Sequence, residues 1–262
     1  MKTLLSKMTT LAVLLILTGC SVSVSVAEGA DGYIGTDGYA VQKGNQNHYV
    51  KPNGKVTTTI RFTGADFNAI KASSGLQVIL QQSNTTLVKV TADENIQEII
   101  KTTIEDGVLR LYVDGAIKGK CTRKVYVNVV HLDNIQATSG SLVQTENTLK
   151  VDALVVKSTS GSDVNLKLSG NAVTCKSTSG SSLNLSGNTK TLNALATSGS
   201  SINTANLSAQ KCEVKATSGA TLLTYCNKNI SAKVTSGASV VYEGKPTNVS
   251  ISKSSGGSVS RK

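Results

Sequence analysis

Hydrophobic and polar residues alternate with a period of two along most of this chain, and in its second half the alternation itself recurs. A Thr-Ser-Gly marker punctuates it at Thr138-Ser139-Gly140, Thr159-Ser160-Gly161, Thr178-Ser179-Gly180, Thr197-Ser198-Gly199, Thr217-Ser218-Gly219 and Thr235-Ser236-Gly237. A worn copy, Ser254-Ser255-Gly256, follows, and Ser73-Ser74-Gly75 is an isolated early one. Successive marker glycines from Gly140 to Gly256 lie 18 to 21 residues apart, a period that belongs to solenoids. Counted from each glycine, apolar residues stand seven before (Leu154, Val173, Leu192, Cys212, Ile230, Val249) and five before (Ile135, Val156, Cys175, Ala194, Val214, Ala232, Ile251). They stand again three after (Val164, Leu183, Ile202, Leu222, Val240, Val259), and less uniformly five after, at Leu166, Leu185, Thr204, Thr224 and Tyr242. One face of each strand is therefore buried. Each coil reads as strand, Ser-Gly corner, strand and a looser return, with glycine supplying the positive φ of the corner. Equivalent strands of successive coils then stack in parallel at about 4.8 Å. The fold class predicted is all-β: a single-stranded right-handed parallel β-helix, the hand following from the preference of parallel crossovers.

The first half is β-rich without a fixed period. Residues 57–62, 67–72, 76–81, 87–92, 108–113 and 124–130 read as strands, broken by Gly64, Gly75, Asn84 and the turn Glu105-Asp106-Gly107. Residues 95–103 carry weak helical spacing and predict one short helical turn. The solenoid domain is set at 56–262, with the first coils and a cap in its irregular half.

Two further segments precede it. Residues 1–19 form a leader, with Lys2 and Lys7 followed by an apolar run at 11–17 too short to span a bilayer. It ends in Leu17-Thr18-Gly19-Cys20, which has the form of a bacterial lipobox, so Cys20 is the expected lipidation site. Acyl chains there anchor the protein to a membrane, each buried CH₂ contributing about 0.8 kcal/mol. Residues 20–55, rich in glycine and nearly free of aliphatic residues after Val26, read as the lipidated cysteine and a flexible tether.

Composition narrows the chemistry. There is no Trp, with two Phe and seven Tyr, so the core is filled by aliphatic residues, as suits thin stacked coils. The formal net charge is +11, of which Lys2 and Lys7 of the leader supply two. Besides Cys20 there are Cys121, Cys175, Cys212 and Cys226, and only His48 and His131, with no metal-ligand spacing; no metal or cofactor is expected.

The repeated Thr-Ser-Gly coils, with Phe67-Asn68-Ala69-Ile70 and Glu105-Asp106-Gly107-Val108-Leu109 before them, resemble the putative auto-transporter adhesin, head GIN domain family, over about residues 57–260. The resemblance implies a β-helix and a role in adhesion at the envelope of Bacteroidetes. It brings no catalytic residues to carry over.

Outward positions hold the remaining candidates. Lys157, Lys176, Lys215 and Lys233 stand four before the corner glycine, interrupted by Leu195, and predict a basic strip. It is either a solvated face with gatekeeper lysines or a contact surface for anionic glycan or an envelope or host protein. Asn165, Asn184 and Asn203 predict a structural amide stack. Cys212 and Cys226 fall on inward positions on either side of Gly219, and a disulfide between them is possible. Asp163, Glu213 and Glu243 are scattered singly, which argues against catalysis by a lyase- or hydrolase-type β-helix. Nucleic acid is excluded as a partner by export and by the lack of aromatic residues interleaved with the lysines. The expected protein is thus a non-catalytic, lipid-anchored outer-membrane protein, on the periplasmic or the surface side. The alternative is a self-associating envelope component whose end coils stack on another chain.

Overall fold

The structure, a computed structural model, describes residues 49–262 together with two short strands, Gly32–Ile34 and Ala40–Gln42, that pair antiparallel. The leader, Cys20 and most of the expected tether lie outside the described residues.

Seventeen strands form one hydrogen-bonded ladder. They are β1 (Val56–Thr63), β2 (Ala69–Ala72), β3 (Gln77–Gln82), β4 (Leu87–Asp93), β5 (Ile100–Glu105), β6 (Val108–Val113), β7 (Arg123–Val129), β8 (Asn134–Ala137) and β9 (Leu142–Thr145). The long strands β10 (Leu149–Ser158), β11 (Asp163–Ser177), β12 (Ser182–Ala196), β13 (Ser201–Ala216) and β14 (Thr221–Val234) follow, then β15 (Ser239–Glu243), β16 (Asn248–Lys253) and β17 (Ser258–Arg261). From β8 onward every pairing is parallel, the register shifting only between β12 and β13 and between β13 and β14, giving a β-solenoid of about seven turns.

The period-two reading holds residue by residue. Every inward position named above is buried except those of the last coil, where Val249 and Ile251 are 47% and 42% exposed and Val259 is half-buried. Those three have a rung on one side only.

The corner is tighter than one glycine. Both its serine (φ 52° to 55° from Ser139 to Ser236) and its glycine (φ 65° to 69° from Gly140 to Gly237) are left-handed. Ser141 N donates to Thr138 O at 3.2 Å and Ala220 N to Thr217 O at 3.3 Å, which makes the corner a type I′ turn. Successive corners are tied by backbone bonds such as Gly219 N to Ser236 O at 3.0 Å. The residue after the glycine turns inward. There Ser162 Oγ donates to Ala137 O at 2.9 Å, Ser181 Oγ to Ser158 O at 2.8 Å and Ser200 Oγ to Ser177 O at 2.7 Å, so a buried column of hydroxyls bridges the rungs.

Three expectations are corrected. The return is no loose connection: β11, β12 and β13 run unbroken through it, and Leu149, Leu168 and Leu207 point into the core there. The period-two pattern changes phase where the chain bends, which hides this third side. Residues 95–103 form only a 3₁₀ turn at Glu94–Ile96, after which β5 begins, as the β-branched run at its end favours. Finally, residues 49–55 belong to the folded body. Tyr49–Val50 pair in parallel with Ala116–Ile117, Gly54 N donates to Asp93 Oδ1 at 2.7 Å, and Asn95 Nδ2 donates to Lys51 O at 2.7 Å.

The N-terminal end is closed by a different construction. β6 continues one stack in parallel from β2, and β5 folds back on it antiparallel. On the other stack β7 runs parallel to β3, and β4 and β1 then add antiparallel.

Candidate functional site

Each strip lysine sits on a strand residue flanked by two inward ones, so the alternation places it outward, and all four are exposed. The register stacks them directly: Lys157 on Lys176, Lys176 on Leu195, Leu195 on Lys215, and Lys215 on Lys233. The column is longer than the expected strip. Gln136 pairs with Lys157 on one side and Lys71 on the other, and Lys71 pairs with Arg110. Lys71 stands four before Gly75, so the worn early marker already carried the signal. Arg110 precedes no marker, and only the fold brings it into line.

The resulting column runs along the solenoid axis: Arg110, Lys71, Gln136, Lys157, Lys176, Leu195, Lys215, Lys233 and Ser252. At about 4.8 Å per rung the cationic groups are close enough to repel, although water screens them. Among the described residues three ion pairs occur, and none involves these lysines: Lys55–Glu94, Arg110–Glu105 and Lys262–Glu243. The adjacent outward column (Val155, Thr174, Asn193, Glu213, Ser231) holds a single carboxylate. The face is therefore flat and cationic, and its lysines form no ion pair among the described residues.

Two shallow polar troughs lie elsewhere on the coils. One, of about 430 Å³, follows the return and is lined by Ser169, Asn171, Asn188, Lys190, Ser208 and Asn227. Its side chains bridge rungs, Ser169 Oγ donating to Asn188 Oδ1 and Asn227 Nδ2 to Ser208 Oγ, both at 2.9 Å. The other, of about 340 Å³, contains the asparagine stack. There Asn184 Nδ2 donates to Asn165 Oδ1 at 2.8 Å, whereas Asn203 Oδ1 accepts from Ala205 N, so the stack breaks after two rungs. These amides are largely used in holding coils together.

The carboxylates stay apart. Asp163 lies between Leu142 and Ser182, Glu213 between Asn193 and Ser231, and Glu243 is paired with Lys262 at 3.1 Å. No group of three or more His, Cys, Asp or Glu residues able to hold a metal occurs among the described residues. His131 is exposed beside β8.

The cysteines divide into two kinds. Cys175 is buried alone in the column of Val156 and Ala194, and desolvation pushes its thiol up to about 12. Cys121 is half-buried, and burial raises it also. Cys212 and Cys226 are buried together as thiols. The neighbouring Cys226 thiol, more than burial, pushes Cys212 up, and the Cys212 thiol in turn brings Cys226 down to about 7.

The chain matches the family described as "Putative auto-transporter adhesin, head GIN domain" over residues 66–246. Solved structures share the fold. A putative adhesin of Bacteroides fragilis aligns with a TM-score of 0.75 at 23% identity, covering 81% of this chain and all of that one. A putative adhesin of Parabacteroides merdae gives 0.66 at 23%, covering 82% and 99%. A protein of Parabacteroides distasonis described as a putative lipid binding protein gives 0.69 at 16%, with the same coverage. At these identities the likeness is one of fold. No curated protein matches the chain.

Proposed function

Because the chain belongs to the putative auto-transporter adhesin, head GIN domain family, we propose that it is a non-catalytic binding protein of the cell envelope. Its contact surface is the lysine column, and its ligand is an anionic glycan laid along the solenoid axis. The observation that carries this reading is the register: Lys157, Lys176, Lys215 and Lys233 share one straight column with Lys71 and have no acidic partner within ion-pair reach among the described residues. Such a column attracts a polyanion through many weak contacts, each worth about 0.2–1 kcal/mol. Cys20 supplies the membrane anchor by acylation, and the segment after it holds the solenoid away from an outer-membrane surface.

Changing Lys157, Lys176, Lys215 and Lys233 together to Gln is expected to weaken retention on an immobilised acidic polysaccharide roughly tenfold or more and to remove its salt dependence. Leu195→Lys fills the gap and is expected to raise the eluting salt concentration. Unchanged elution of both variants would leave the lysines as a solvated face that discourages strand pairing. For the anchor, Cys20→Ser should move the protein from the membrane to the soluble fraction after a carbonate wash.

A second reading, self-association through the last coil, is favoured by the exposure of Val249 and Ile251 on the outermost strand β16. Lys253 and Arg261 beside that edge oppose the approach of a like end, which places this reading second. Light scattering that finds a concentration-independent monomer would dispose of it.

A further inference from the structure

Cys212 and Cys226 belong to neither the lysine face nor the troughs. Fourteen residues separate them, fewer than the 18 to 21 of a coil, so Cys226 arrives one rung on, directly over Ala209. Between Ala209 and Cys212 the chain turns through Gln210 and Lys211, where the ladder register shifts. That bend points the inward face carrying Cys226 at the inward face carrying Cys212. Each sulfur consequently touches backbone beside the other cysteine. Cys212 Sγ lies 3.8 Å from Tyr225 O, and Cys226 Sγ lies 3.8 Å from Gln210 O. Thr224 Oγ1 approaches Cys212 Sγ at 4.0 Å from the same side. The two side chains are 3% and 0% exposed.

The neighbouring rungs show what these positions otherwise hold. The column of Cys212 contains Leu192 and Ile230, and that of Cys226 contains Thr189 and Ala209. Only at this level does a sulfur stand in both.

We infer that Cys212 and Cys226 are joined by a disulfide in the exported protein, bracing the coil of β13 to that of β14. The inference rests on export to an oxidising compartment and is independent of the lysine column. The reaction is thiol–disulfide exchange with a disulfide-bearing oxidant protein of that compartment. Cys226, as its thiolate, attacks one sulfur of the oxidant disulfide, and the oxidant's other sulfur leaves as a thiolate. The Cys212 thiol gives up its proton, attacks Cys226 Sγ in the mixed disulfide and displaces the oxidant's second thiolate. Two cysteine thiols are thereby oxidised to one disulfide, and the oxidant is reduced to a dithiol. Both sulfurs are buried once the coils stack, so the exchange precedes closure of the coils that begin at β14. Cys175, alone in its column, and Cys121, outside the repeats, stay reduced.

The test uses the full chain recovered from the envelope of an exporting host, acid-quenched, alkylated in denaturant and digested with trypsin without reduction. The expected product is the peptide 212–215 joined to the peptide 216–228, two hydrogens lighter than the sum of the free peptides, with Cys121 and Cys175 alkylated. A parallel sample refolded from denaturant with oxidised glutathione separates the two premises. A bridge formed only there upholds the pairing and removes export. Alkylation of all four cysteines in both samples, or a bridge to Cys175, overturns the pairing. Reductant should also lower the unfolding midpoint of the wild type by roughly 5–10 °C and leave Cys212→Ala/Cys226→Ala unmoved; a wild type that does not respond counts against the bridge.

Discussion

The N-terminal part of this solenoid and its repeat region are built on different principles. The N-terminal end, residues 49–133, is held by contacts that occur once. Asp93, 3% exposed, accepts from Gly54 N at 2.7 Å and from Thr122 N at 2.9 Å, pinning three separate segments. Gln97 donates to Thr57 O at 2.9 Å while its own carbonyl accepts from Arg61 at 2.6 Å. Gln82 and Asn147 exchange side-chain and backbone bonds at 2.8 and 2.9 Å, joining the first coil to the second. The repeat region has few such keystones. Its bonds recur from rung to rung, so each coil depends on two neighbours that resemble it. The lesson is one of boundary conditions: a stack of equal coils needs an unequal end to stop it, and here the antiparallel strands β1, β4 and β5 do so.

This contrast is most sharply challenged at Gly187, a repeat position without redundancy. Its column is Leu149, Leu168, Gly187 and Leu207, and its φ of 113° is one that side chains rarely adopt. A Cβ there would overlap the carbonyl oxygen of Leu168 in the rung below. Gly187→Ala is therefore expected to cost about 4 kcal/mol or prevent folding, because neither backbone can yield without breaking the ladder. Gly199→Ala, whose Cβ would enter open space, should cost only about 1–2 kcal/mol for its positive φ. Denaturant unfolding of the pair reads the difference. Equal losses would mean that the rungs adjust freely and that the ladder is softer than its register implies.

The contrast between single keystones and shared rungs is sharpened by two buried hydrogen-bonding side chains. Asp93→Ala leaves two backbone N–H groups without partners in the cap, at an expected cost of about 3 kcal/mol. Ser181→Ala removes a hydroxyl bonded to Ser158 O, but that carbonyl also accepts from Thr178 N, and Ala220 and Ala238 fill the equivalent position in later coils. About 1 kcal/mol or less is expected. If the two variants melt alike, the cap is no more specific than the coils.

How much could be read beforehand follows the same division. The inward residues of the repeats were legible because one rule, counted from the glycine, applies to every coil, and it failed only at Val249, Ile251 and Val259, where the next rung is missing. The lysine column was legible for the same reason, as far as Lys71. The place of Arg110 and the keystone role of Asp93 were not, because each depends on segments 29 or more residues apart that a single pairing brings together. The third side of the coil was hidden by a change of phase at Leu168, where the chain bends while staying in the ladder. The inward serines looked like part of a polar turn, since a buried hydroxyl and an exposed one read alike until the neighbouring carbonyl is located.

The smallest effect concerns the marker serine itself. Ser218 holds φ at 54° in an exposed corner, a conformation costing an L-residue about 1 kcal/mol that glycine would avoid. Glycine in turn gives the unfolded chain more freedom, about 0.5–1 kcal/mol. The hydroxyl offsets little of this, since its contact to Thr217 Oγ1 is 3.4 Å long and faces water. Ser218→Gly is therefore expected to stabilise by a few tenths of a kcal/mol, a rise of roughly 1 °C in the unfolding midpoint. The backbone bond from Gly219 N to Ser236 O is unaffected, so the rung stays in place. A fall of several degrees would show instead that the row of corner hydroxyls stabilises the stack through its own contacts, and the repeat region would then share the cap's dependence on particular side chains.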